Sequence, residues 1–246
     1  MAPSIESLQP TASLWVATLV TLVFASLARV VRGVTLSGAV AGAVVCFVLY
    51  FAAGRAAFAM LVLVFILTWG ATRLGYPRKQ RLGTAEKKAG RTASQVLANV
   101  GMAAVCAATY RFTRGHAVFL LALTAALAEA AADTVASELG QAFSQSARLI
   151  TTWEKVPVGT DGGVSILGTL GGVLSAGIVS LAGVLSGFLP WKWLPVAAGG
   201  AIVAMLADSF LGAVLERRSL LNNDGVNFLS TLLSALIPCI WVTYFA

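Results

Sequence analysis

Eight stretches of this chain are apolar for long enough to cross a bilayer, and that property excludes most folds. A helix needs about 17 to 25 predominantly apolar residues to span roughly 30 Å of hydrocarbon, where each backbone polar group must be satisfied inside the segment. Windows of this kind fall near 13–31, 34–53, 56–72, 94–110, 115–139, 164–189, 194–216 and 227–246. The fourth is short and the fifth long, so seven spans are the alternative count. With 58% hydrophobic and 11% charged residues and a mean hydropathy of +0.86, the sequence reads as an all-α, polytopic transmembrane helix bundle. No linker or low-complexity tract divides it, so residues 1–246 are expected to form one transmembrane domain.

Lys and Arg collect in cytoplasmic loops. With the 73–93 loop inside, eight alternating spans place 13 of the 17 basic residues inside and leave only Arg55, Arg111, Arg114 and Lys192 outside. Both termini are then non-cytoplasmic, which acidic Glu6 ahead of the first span fits, and a cleaved signal peptide is not expected. The absence of an Arg/Ser-rich transit segment favours a bacterial plasma membrane. The net charge of +7 belongs mostly to one loop. It points to lipid head groups or phosphates, and not to nucleic acid. Cys46, Cys106 and Cys239 are isolated and read as small apolar residues. The lone His116 sits in an outer loop, so zinc chemistry and histidine base catalysis find little support.

The second half repeats itself. TDGGVSILGTL (160–170) aligns with NDGVNFLSTL (223–232), and AADTVASE (131–138) resembles LADSFLGAVLE (206–216). The repeat units, about 115–189 and 194–246, run the same way through the bilayer. They are therefore expected to be related by an axis along the membrane normal, facing each other across a cleft.

Acids in such helices need a partner or a task, because a carboxylate at the bilayer centre costs roughly 2.5 to 3.5 kcal/mol on insertion. Glu129 and Asp133 share one helix face, and Asp208, Gly212 and Glu216 form a second stripe. Three readings stay open: pairing with the basic loop, proton or cation transport, or a Mg²⁺ site at Asp133, Asp208, Glu129 and Glu216. Mg²⁺ is commonly held by one or two carboxylates together with substrate phosphates. The turn VPVGTDGGVSILGT (156–169) adds glycines and a helix start that suit an anion. Around the basic loop RLGTAEKKAGRTASQVLAN (81–99), a topology signal accounts for Arg73, Arg78, Lys79 and Arg81 but not for Gln95 and Asn99, one turn apart on the next helix. Gly168 with Gly172 suits helix packing, not chemistry.

These stretches resemble a known family. KKAGRTASQVLANVG, AEAAADTVASELG, VPVGTDGGVSILGTLGG, ADSFLGAVLE and NNDGVNFLST, over about residues 80–240, are similar to the integral membrane proteins that include plant phytyl-phosphate kinase and transmembrane protein 19. More distantly, DTVASELG with its glycine-rich turn looks like CTP-dependent dolichol kinases and phosphatidate cytidylyltransferases. The resemblance implies Mg²⁺-dependent phosphorylation of an isoprenyl monophosphate by a nucleoside triphosphate, CTP favoured. It also implies that Lys88, Arg91, Gln95 and Asn99 contact phosphate or nucleotide, that Asp133, Glu138 and Asp208 are metal or catalytic acids, and that Gly159, Thr160, Gly162, Gly163, Ser165, Asn223 and Asn227 are polar turn contacts. A phosphate acceptor is already an anionic nucleophile, so no histidine base is required. The competing readings are a cation-coupled transporter or lipid-phosphate flippase, a cytidylyltransferase, and a prenol kinase.

Overall fold

The computed structural model describes residues 14–245, so Glu6 and the expected start of the first span lie outside the described residues. Eight helices follow in order: α1 (Leu14–Val30), α2 (Leu36–Arg73), α3 (Tyr76–Leu82), α4 (Ala93–Phe112), α5 (Val118–Phe143), α6 (Ile166–Leu185), α7 (Leu194–Leu211) and α8 (Asn223–Phe245). A 3-10 turn, Trp191–Trp193, leads into α7, and a π turn, Gly212–Glu216, ends it. Five segments are long and apolar enough to cross a membrane: α2, α5, α6, Trp191–Glu216 and α8. The polytopic helical class is as expected, but these criteria do not reach the expected eight spans. At 17 residues α1 is shorter, and α4 is diluted by Gln95, Asn99 and Arg111.

α2 explains part of the difference. Its 38 residues would run about 57 Å if straight, at 1.5 Å per residue. Gly54 interrupts it with φ 83 and ψ −172, a conformation that a side chain would strain. Beyond it the chain doubles back. The Trp69 indole and the Arg73 guanidinium both donate to the Val31 carbonyl, at 3.3 and 2.8 Å, which puts the end of α2 beside its own beginning. α2 is thus a helical hairpin with arms 36–53 and 55–73, broken where the sequence windows part.

α5 is the hub, buried over 83% of its spanning window and packed against α2, α4, α6, α7 and α8. Its Ala-rich surface lets neighbours approach closely. A Cβ added at Gly168 of α6 would lie 2.4 Å from the Ala136 carbonyl, and one at Gly172 would lie 2.9 Å from the Ala132 carbonyl. In hydrocarbon, such close packing is a main source of helix association.

The fold is not purely helical. Between α5 and α6 stands a three-stranded antiparallel sheet of order β2-β1-β3, built from β1 (Ala147–Leu149), β2 (Lys155–Val156) and β3 (Gly163–Val164). Strands this short carry no alternation that a sequence reading can find. The sheet holds the glycine turn against the π turn: at Gly162, φ +75, an added Cβ would fall 2.4 Å from the Ala213 Cβ and 2.6 Å from its backbone nitrogen. Gly162→Ala is therefore expected to destabilise the protein by about 1–3 kcal/mol. Gly177→Ala, with nothing within 4 Å of the added carbon, should be neutral or slightly stabilising. Thermal unfolding of the two purified variants checks this contrast.

Candidate functional site

At the end where α5 and α7 finish, and where α4, α6 and α8 begin, lies a polar cavity of about 310 Å³. The first turns of three helices line it, and the partial positive charge of a helix N-terminus favours anions. Acids arrive from the other two helices. Asp133 of α5 and Asp208 of α7 bring their carboxyl groups within hydrogen-bonding reach of each other. Ser230 of α8 approaches both Asp208 and the deeper Glu129, and Glu216 faces Asp133 from the π turn.

Arg91 is the cation facing Asp133, and its guanidinium also donates to the Thr134 hydroxyl at 3.3 Å. Its place is fixed by a backbone clasp: Arg91 N donates to the Gly33 carbonyl (3.0 Å), and Thr35 N donates to the Arg91 carbonyl (2.9 Å). Gly90 and Gly38 make that clasp sterically feasible, since added Cβ atoms would sit 2.5 Å from Val34 N and 2.2 Å from the Arg91 carbonyl oxygen.

Most of the expected residues converge here. Arg91, Gln95, Asn99, Asp133, Glu138, Gly159, Thr160, Gly162, Gly163, Ser165, Asp208, Glu216, Asn223 and Asn227 all line the cavity. Several of them also make contacts that hold the fold. Glu138 forms an ion pair with Lys79, a side chain that is 0% exposed and also donates to the Ala71 and Thr72 carbonyls. Its carboxylate is thus held in a structural lock, and Lys79 is a core residue rather than a loop charge. Gln95 completes a capping box, accepting from Thr92 N at 2.8 Å and donating to Glu86 at 3.0 Å. Ser165 caps α6, accepting from Gly168 N at 3.2 Å. Asn223 and Asn227 lie on α8 itself, which begins four residues before the expected window, and Asn222 caps it by accepting from Gly225 N.

Two residues stand elsewhere. Lys88 is exposed and lines a different cavity. Glu129 is buried behind the Asp133–Asp208 pair and does not line the polar cavity, although its Oε1 lacks a hydrogen-bond partner. Sequence reasoning missed Glu86, Thr134, Ser137, Gln141 and Asp161, which also line the cavity. Ser137 and Gln141 follow Asp133 at i+4 and i+8, a polar stripe that helical periodicity could have found.

The second cavity, about 450 Å³, is mostly apolar and lies between α1, the two arms of α2 and α4. Arg32, Arg73, Lys87 and Lys88 line it at the loop end of these helices, while Phe24, Val45 and Leu61 line it further along α1 and the two arms of α2. It shares Glu86, Arg91 and Asn99 with the polar cavity.

The polar cavity suits a divalent cation only together with a ligand. Among the described residues no group of three or more His, Cys, Asp or Glu side chains is arranged to hold a metal ion. The four expected acids therefore do not make a preformed cage. The lining nonetheless carries six acids, Glu86, Asp133, Glu138, Asp161, Asp208 and Glu216, against Arg91 alone. The buried Asp208 Oδ2 has no hydrogen-bond partner. Such an excess repels a polyphosphate unless a cation enters with it, and hard divalent cations take carboxylate oxygens and phosphates together.

The bundle and its paired cavities define a polytopic helical membrane protein with an acidic polar pocket at one end of the bundle. The chain belongs to the integral membrane protein family DUF92, which it matches over residues 19–235. It is 33% identical over 233 residues to the uncharacterized membrane protein MJ0933 of Methanocaldococcus jannaschii, covering 95% of this chain and 96% of that one. It is 29% identical over 215 residues to the Arabidopsis thaliana chloroplastic protein VTE6, covering 84% of this chain and 65% of that protein. The Arabidopsis protein PGR is 27% identical, with 87% and 90% covered. No solved structure matches the chain.

Proposed function

We propose that this protein is a membrane-embedded kinase that transfers a phosphoryl group from a nucleoside triphosphate, CTP favoured, to an isoprenyl monophosphate such as phytyl or geranylgeranyl phosphate. The observation that carries the reading is the wall of Glu86, Arg91 and Asn99, which belongs to both a polar and an apolar cavity. A water-soluble donor and a lipid-borne phosphate meet only at such a boundary. The resemblance to the family of plant phytyl-phosphate kinase and the similarity to VTE6 support the same reading.

In this reading an acceptor phosphate oxygen attacks the γ-phosphorus in line, and the nucleoside diphosphate leaves. Arg91 holds the acceptor phosphate. The N-termini of α6 and α8 receive the donor's phosphates. Asp133 and Asp208 would hold Mg²⁺, which supplies charge neutralisation between donor and acceptor phosphates. No side chain has to abstract a proton, and positioning with electrostatics supplies the catalysis. The basic end of the bundle faces the cytoplasm, where the nucleotide is found.

The test is incubation of purified protein with labelled CTP, ATP or GTP, Mg²⁺ and prenyl monophosphates, with the lipid products resolved. A prenyl diphosphate appears in the presence of metal and is lost on its chelation. Absence of product from any donor and acceptor, with folding intact, rejects the kinase. Cation-coupled transport is the second reading, favoured by the unpartnered Glu129 Oε1 deep in the bundle. Glu129→Gln abolishes activity under that reading and spares phosphotransfer under the first.

A further inference from the structure

We infer that the apolar cavity is the channel for the acceptor's hydrocarbon chain, and that the ring of Phe24 is its floor and sets the prenyl length accepted. This rests on the kinase reading above. The channel has a charged end and an apolar end. Arg32, Arg73, Lys87 and Lys88 surround the mouth, beside the Arg91 wall that it shares with the polar cavity. A monophosphate head fits there by charge, and the chain follows the apolar lining towards Phe24, Val45 and Leu61.

The floor is well built. The Phe24 ring meets Phe58 and Phe65 edge to face, with centroids 5.7 and 5.5 Å away, so its neighbours hold it from two sides. Along the second arm of α2 the lining runs from Thr72 at the mouth to Leu61 near the floor. That is 72 − 61 residues, or about 16 Å at 1.5 Å per residue. An extended hydrocarbon advances about 1.25 Å per bond of roughly 1.5 Å. The channel therefore encloses about 13 main-chain carbons, or roughly three of the four repeats of a phytyl or geranylgeranyl chain, and the last repeat abuts Phe24. Halfway down, Gly42 lines the cavity, and a Cβ there would meet nothing nearer than the Val96 Cγ1 at 4.0 Å. A side chain at position 42 thus has room to enter the channel and shorten it.

The experiment uses the full chain in nanodiscs with Mg²⁺, the most effective nucleotide, and monophosphates of two, three and four prenyl repeats. Phe24→Ala is expected to raise the ratio of four-repeat to three-repeat turnover about tenfold, and Gly42→Leu to lower three-repeat relative to two-repeat turnover by a similar factor. In parallel, a three-repeat phosphate bearing a photoreactive group at its chain end is crosslinked without nucleotide. Label on Phe24 or on the α2 arms supports the channel. Turnover ratios unchanged in both variants, or label confined to helices outside α1 and α2, overturn the inference. Crosslinking at Phe24 with no turnover of any acceptor keeps the channel and rejects the kinase reading, so the two fail separately.

Discussion

Asp133→Asn and Asp208→Asn are each expected to lower kcat/KM for phosphotransfer by about 10²–10³, the scale of removing one preorganised electrostatic group from an active site. The double variant should be little worse than either single one, because the two carboxyl groups meet and act as a unit. Stability should move the other way. Two carboxyl groups in contact, opposed by Arg91 alone on the cavity wall, cannot both ionise without repulsion in the absence of ligand and metal. A neutral amide removes that repulsion, so thermal unfolding of the free protein should hold steady or shift upwards. A loss of stability together with activity would assign the pair to structure and end the metal-bridge reading. The measurement pairs steady-state kinetics over a Mg²⁺ series with unfolding curves recorded without nucleotide. A reduced apparent affinity for Mg²⁺ in the single variants is the signature that a merely structural role would not produce.

What the sequence makes legible is the set of residues that are costly where they stand. Asp133 and Asp208 interrupt apolar helices, and helical periodicity with the repeated pattern predicts that they meet. Their hydrogen-bonding reach is that meeting. The glycine turn is visible for a similar reason: Gly159 and Gly162 sit at positive φ, against Thr84 and Ala213, where a side chain is excluded.

Charges in a basic loop are different, because composition treats them alike. Lys79 and Lys88 lie nine residues apart in the same polar stretch, yet one is fully buried and the other exposed. Only the packing of α3 against α5 distinguishes them. Gln95 is a case of a signal present but outweighed. The spacing of Thr92 and Gln95 is a capping-box pattern, and the amide is spent on it and on Glu86. The sheet was out of reach, since its register depends on contacts between β1 and strands on either side of it in space and not on local preference.

Lys79→Met should be the most destabilising single change in the basic loop, by about 3–5 kcal/mol, because it strands the Glu138 carboxylate without its cation inside the protein. It also removes a donor to the Ala71 and Thr72 carbonyls in the last turn of α2, of which Ala71 keeps the Leu74 N–H. The double variant Lys79→Met/Glu138→Met replaces the ion pair with apolar volume and should recover most of that loss, though not the part due to the two carbonyls. Unfolding curves for the wild type, both single variants and the double variant form the cycle. Its kinetic counterpart settles the role of Glu138. A folded double variant that still makes prenyl diphosphate shows that the carboxylate only anchors the end of α5. A folded double variant with no turnover returns Glu138 to the chemistry, because the lock has been replaced while the loss of function persists.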